Sequence, residues 1–204
     1  MTNSKGRTKY VPYNDLRLYP GMHLSEERRE QLDEDSLDPD KLSSEDIIYK
    51  LSSMVTGTMY GLLGLIEEKW GKQAARDVAF EWGRGRAREN LKKWMAHQGV
   101  DRLTPEIWAK FQDYRHIISG PIHSPSFVTF EGDSQVVLNR TGCIFHNGHP
   151  GGPKDMDSYC APACDGMFEG YADACPEFNG EMPVCMSRGT SESTCQVRFN
   201  INGD

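Results

Sequence analysis

Between Ile47 and Ile66 apolar residues return every three or four positions, through Ile47, Ile48, Leu51, Met54, Val55, Met59, Leu62, Leu63 and Ile66, and that spacing predicts a helix. Ser43 with Asp46 three residues on has the form of a capping box, in which each side chain satisfies a backbone amide of the other. The apolar stretch from Met54 to Ile66 is read as buried. A second helix is predicted over residues 72–97, where Val78, Ala79, Trp82, Leu91, Trp94 and Met95 form an apolar stripe. Gly83 and Gly85 weaken its middle. Thr104 then caps a third helix, with Pro105 in the favoured first position and Ile107, Trp108, Phe111 and Tyr114 turned inward.

After Gly120-Pro121 the period changes from helical to extended. Phe127 to Phe130 and Val136 to Leu138 flank Gly132-Asp133 and read as a β-hairpin. Residues 146–158, HNGHPGGPKDMDS, hold too little apolar surface to bury and read as an irregular loop. Helical spacing returns from Ala161 to Cys175, and Met182 to Met186 with Thr194 to Ile201 read as a second hairpin. In the last strand Cys195, Val197, Phe199 and Ile201 alternate with Gln196, Arg198, Asn200 and Asn202, which puts Cys195 on the inner face. These elements predict an α+β fold, with N-terminal helices packed on a small antiparallel sheet. Residues 1–42 form a polar N-terminal arm whose charge run, Glu26 to Glu34, makes at most one exposed helix, and residues 43–204 form a single domain. There is no internal repeat.

Composition narrows the function more than the fold. The 204 residues carry 23 basic and 30 acidic side chains, a net charge of −7, which argues against a nucleic-acid partner. The start, MTNSKGRTKY, lacks the apolar core of a secretory signal, and the stretch from Met54 to Ile66 is too short to cross a bilayer. The expectation is a soluble cytoplasmic protein with no membrane partner. All six cysteines (143, 160, 164, 175, 185 and 195) lie in the last third. In a reducing compartment such a cluster is buried thiol, a metal site or a reactive centre.

Three groups of residues invite chemistry. Cys160 and Cys164 are one helical turn apart and can share an ion, whereas Cys164 and Cys175 are separated by roughly 16 Å of helix and cannot. No CxxC pair occurs, which argues against zinc ribbons and thioredoxin-like centres. Cys143, His146 and His149 are spaced three apart in a glycine- and proline-rich turn, near Asp155 and Asp157, where thiol and imidazole can converge on one metal or substrate. Arg84, Arg86 and Arg88 point in different directions around the second helix and read as a solvated surface, although one of them can pair with a substrate carboxylate.

The run CDGMFEGYADAC, the Cys185 strand and the ending GTSESTCQVRFNI resemble the C-terminal part of the 4-vinyl reductase domain superfamily. Within it, the layout of helices ahead of this module is similar to that of the L-2-amino-thiazoline-4-carboxylic acid hydrolase-like family, over roughly residues 44–202. The resemblance implies a metal site, possible for zinc, at Cys164, Cys185 and Cys195, with Glu181 as the nearest acidic fourth ligand. The sensor domains of the superfamily carry their glutamate three residues before the hairpin cysteine, a place held here by Met182.

It also implies a small-molecule hydrolase that opens a C–N bond of a cyclic amidine or amide carboxylate. In that reading Cys164 or Cys160 is the nucleophile, His146 or His149 its base, and Asp165 orients the imidazole or positions water. Two rivals stand beside it. One is a zinc-stabilised binding or sensing module, with Trp82, Trp94, Trp108 and Tyr114 lining a ligand pocket instead of a core. The other is an accessory subunit docked to a larger enzyme through residues 1–42. The partners expected are a small-molecule substrate or ligand, and a second copy or a larger enzyme.

Overall fold

The computed structural model describes residues 26–118, 126–131, 133–140, 160–180 and 195–201. A short helix, α1 (Glu26–Asp35), precedes α2 (Ser44–Trp70), which opens on the expected capping box: Ser43 Oγ accepts from the Asp46 amide at 3.1 Å, and the Asp46 carboxylate accepts from the Ser43 amide at 2.9 Å. The charge run that forms α1 does not lie free on the surface. Leu32 is fully buried, and Arg28 grips the buried Asp46 carboxylate through Nε and Nη2 at 3.1 and 2.7 Å while also pairing with Asp35. Hydrogen bonding from the Arg28 guanidinium, aided by Ser43, outweighs burial and holds the Asp46 carboxyl well below the usual carboxylate range.

Gly71 alone separates α2 from α3 (Lys72–Gln98), at a φ of +91° that favours glycine. As the sequence predicts, α3 is a single helix, and Gly83 and Gly85 lie within its 27 residues without interrupting it. Gly99, left-handed at φ +64°, ends it and donates back to the carbonyls of Ala96 and Met95. Next comes α4 (Pro105–Ile118), where the Ile107 amide donates to Thr104 Oγ1 at 3.3 Å.

The remaining elements are β1 (Ser126–Glu131), β2 (Gln135–Arg140), α5 (Cys160–Ala174), β3 (Phe178–Gly180) and β4 (Cys195–Ile201). The fold is α+β. One antiparallel sheet runs in the order β1-β2-β4-β3, with Val136 opposite Phe199 and Phe178 opposite Ile201. The first hairpin is the one the pattern predicts. For the second, the strand seen beside β4 is Phe178–Gly180, ahead of the expected position; residues 182–186 lie outside the described residues.

The main core lies between the sheet and the helices, and its hub is Trp108. Its ring meets Phe111, Tyr171, Phe178 and Phe199 at centroid distances of 4.7–5.5 Å, so one α4 side chain touches α5, β3 and β4 together. Trp94 and Trp108 are therefore core residues. Tyr114 and Trp82, expected to face inward, are partly exposed, and Arg86 covers the Trp82 ring at 5.3 Å.

The tightest contact in the fold is between α3 and α5. A Cβ at Gly83 would stand 2.1 Å from the Ala163 carbonyl oxygen, one at Gly166 2.0 Å from that of Phe80, and one at Gly170 2.2 Å from that of Arg84. Only glycine lets the two backbones approach so closely. Arg84 fastens the seam: its Nε and Nη2 donate to the Asp173 carboxylate at 2.7 and 3.1 Å, which raises the guanidinium pKa and lowers that of the carboxyl. It is thus a bridge between helices made by a side chain that stays partly solvated.

Candidate functional site

The seam with α3 fixes how α5 is turned. Ala163, Gly166 and Gly170 face α3, and Cys164, Met167 and Tyr171 occupy the adjoining stripe at spacings of three and four. Cys164 is a free, half-buried thiol. With Met59, Ile66 and Met167 it packs against a small apolar cluster of Tyr60 and Leu63 from α2, Ala75 and Ala79 from α3, and Ala163. Cys164 therefore stands beside an apolar cluster shared by α2, α3 and α5, with part of the residue exposed.

One turn further along α5, a cation approaches the same stripe. Arg115, half-buried on α4, donates through Nη1 to Gln112 Oε1 at 3.5 Å and through Nη2 to Met167 Sδ at 3.6 Å, with its guanidinium carbon 5.4 Å from the Tyr171 ring centroid. Gln112 beneath it is fully buried. Thus Met167 touches both the cluster that holds Cys164 and the arginine. Met167, three residues after the half-buried Cys164, is met by a half-buried guanidinium, a group whose geometry suits a carboxylate.

Cys175 differs in every respect. It lies beyond the end of α5, is buried, and donates through Sγ to Glu177 Oε2 at 2.9 Å. Burial first, and then the Glu177 carboxylate, push its thiol up to about 12. Raised in this way, it is held as the thiol at neutral pH.

No family model matches this chain, and no curated protein matches it. Among solved structures it is similar to a trafficking protein particle complex subunit 3 from Naegleria fowleri, crystallised covalently bound to palmitic acid. The TM-score is 0.44 at 13% identity, over 74% of this chain and 95% of that one.

Of the residues expected to carry chemistry, Cys160 and Cys164 lie on α5 one turn apart, as the sequence implies, and Asp165 is half-buried beside Cys164. Cys195 is the first residue of β4, opposite Arg140. Cys143, His146, His149, Glu181, Met182 and Cys185 lie outside the described residues, as do the side chains of Cys160 and Cys195. Among the described residues, no three His, Cys, Asp or Glu side chains stand together in a way that could hold a metal ion. No described helix is long and apolar enough to cross a membrane. Arg115 was missed by sequence reasoning, which looked for a carboxylate partner among Arg84, Arg86 and Arg88. Its one available signal was its position seven residues after Trp108, on the face of α4 that the core residues mark.

Proposed function

We propose that this protein is a cytoplasmic small-molecule hydrolase that opens a C–N bond in a cyclic amidine or amide bearing a carboxylate, of the 2-amino-thiazoline-4-carboxylate kind. The observation that carries the reading is a half-buried, free Cys164 with Arg115 at Met167, three residues on. Arg115 binds the substrate carboxylate, and the thiolate of Cys164 adds to the electrophilic carbon. The ring C–N bond breaks, and nitrogen leaves with the proton that an imidazole, His146 or His149, has taken from the thiol. Water, deprotonated by the same imidazole, then cleaves the carbon–sulfur bond and restores the thiol. Asp165, next to the nucleophile in the chain, orients the imidazole.

The test is turnover of 2-amino-thiazoline-4-carboxylate followed by chromatography. Cys164→Ala is expected to abolish it while leaving the helical circular dichroism unchanged, and Arg115→Ala to raise KM by roughly 10-fold or more through loss of a charged hydrogen bond. Wild-type rates in both Cys164→Ala and Cys160→Ala would overturn the mechanism. Tight binding of the compound without turnover would replace it with the binding or sensing reading.

A further inference from the structure

The outward side of α2 is apolar. Ile47, Leu51, Met54, Val55, Leu62 and Leu65 are each 46–62% exposed, and Trp70 at the C-terminal end is 64% exposed. At about 100° of rotation per residue, the first six and Thr58 fall within an arc of roughly 100°, away from Tyr60 and Leu63, which are buried in the apolar cluster beside Cys164. Thr58 returns its hydroxyl to the Met54 carbonyl at 2.8 Å, so its polar atom is satisfied within the helix.

Two properties of this stripe say what covers it. The first is area. At roughly 200 Å² for a fully exposed large side chain, the six residues of the stripe leave about 650 Å² bare, above the roughly 300–600 Å² of the largest patch on a typical monomer and near the ~800 Å² each partner buries in a standard interface. The second is symmetry. Leu51 and Leu65 stand seven residues on either side of Thr58, and Met54 and Leu62 stand four on either side. A copy of the same helix laid antiparallel, with the two-fold axis at Thr58, meets Leu51 with Leu65 and Met54 with Leu62. That reciprocity is what a closed two-fold interface requires. A parallel pair would instead set Glu68 and Lys69 against their own copies, and antiparallel pairing separates them and opposes the helix dipoles.

We infer that α2 docks on α2 of a second copy of this chain, antiparallel, about a two-fold axis at Thr58. Sedimentation of the full chain at micromolar concentration is expected to give twice the 23.0 kDa monomer mass. Leu51→Glu and Leu65→Glu should each raise the dimer dissociation constant by roughly 100-fold or more, with unchanged helical circular dichroism, as expected for central apolar contacts. Under mild oxidation Thr58→Cys should link to itself across the axis. Leu51→Cys should link to Leu65→Cys when the two variants are mixed, but not to itself, as read by peptide mass mapping. A wild-type chain that sediments as a monomer overturns the inference, whether another segment of the same chain or a different partner covers the stripe. A 51–51 link, or a dimer unaffected by both glutamate variants, overturns it as well.

Discussion

Glycines recur in two regions of this molecule and do opposite things in each. Along the α3–α5 seam, Gly83, Gly166 and Gly170 stand where a Cβ would press into a backbone carbonyl of the facing helix. In α2, Gly57 and Gly64 face open space, with nothing within 4 Å of where a Cβ would be. The seam is closed by geometry and needs glycine. The glycines of α2 serve no such contact among the described residues of their own chain, and the apolar stripe of the same helix lies open. Rigidity is thus concentrated where α5 must be held, beneath Cys164, and a few residues away the molecule presents a surface for something else to cover.

The largest effect expected is at the seam. Gly83→Ala or Gly166→Ala forces two backbones apart and should cost about 3 kcal/mol or more, measured by urea denaturation. A loss below about 1 kcal/mol would mean that the helices sit farther apart than described and would dissolve the contrast with α2. The far end of the same helix is sharpened by pH. The Cys175 thiol has an ordinary value of 9.0 and is held up to about 12 in the fold, so its contribution is fully present below pH 9 and is lost as pH rises from 9 toward 12. Wild type should lose stability more steeply with pH across that window than Cys175→Ala, which has no thiol to ionise, by at most about 1.4 kcal/mol per pH unit. Equal slopes would show that the fold does not hold the Cys175 thiol above its ordinary range. The smallest effect, and one of opposite sign, belongs to α2. Gly64→Ala removes backbone freedom from the unfolded chain without a clash and should stabilise by about 0.5–1 kcal/mol, visible as a raised Tm. Destabilisation instead would reveal a close neighbour at Gly64.

Local signals in the sequence located most elements, because caps and turns act within a few residues. Ser43 with Asp46, Thr104 with Pro105, and the Gly132-Asp133 hairpin each encode a boundary by themselves. What local pattern could not encode was which side of an element faces inward. Apolar residues run almost around α2, so the period gave a helix but not a face. Met54, Val55, Leu62 and Leu65, which belong to the stretch that the sequence places inside, are therefore exposed without violating the pattern. Gly83 looked like a weakness in α3 because its reason, the Ala163 carbonyl, comes from a helix far along the chain. Strand β3 carries no alternating pattern in its three residues and is defined by its register with β4. At the candidate site the cysteines of α5 were legible from helical spacing. Arg115 was not, because its meaning depends on α4 crossing Met167, a contact between residues 52 positions apart.

The order β1-β2-β4-β3 has a consequence for biosynthesis. Strand β4, made after the other three, takes an inner place, and its pairing with β2 joins Gln135 to Asn200, 65 residues apart, through a side-chain hydrogen bond as well as the ladder. On the ribosome the β1–β2 hairpin therefore emerges long before its neighbour does, with one edge of β2 unpaired. Val136, Val137 and Leu138, all buried in the finished fold, form that edge. A bare apolar strand edge invites pairing with other chains, and closing a loop this long is slow. The interval between synthesis of β2 and of β4 is when a nascent chain of this protein most needs a chaperone to keep it from its neighbours.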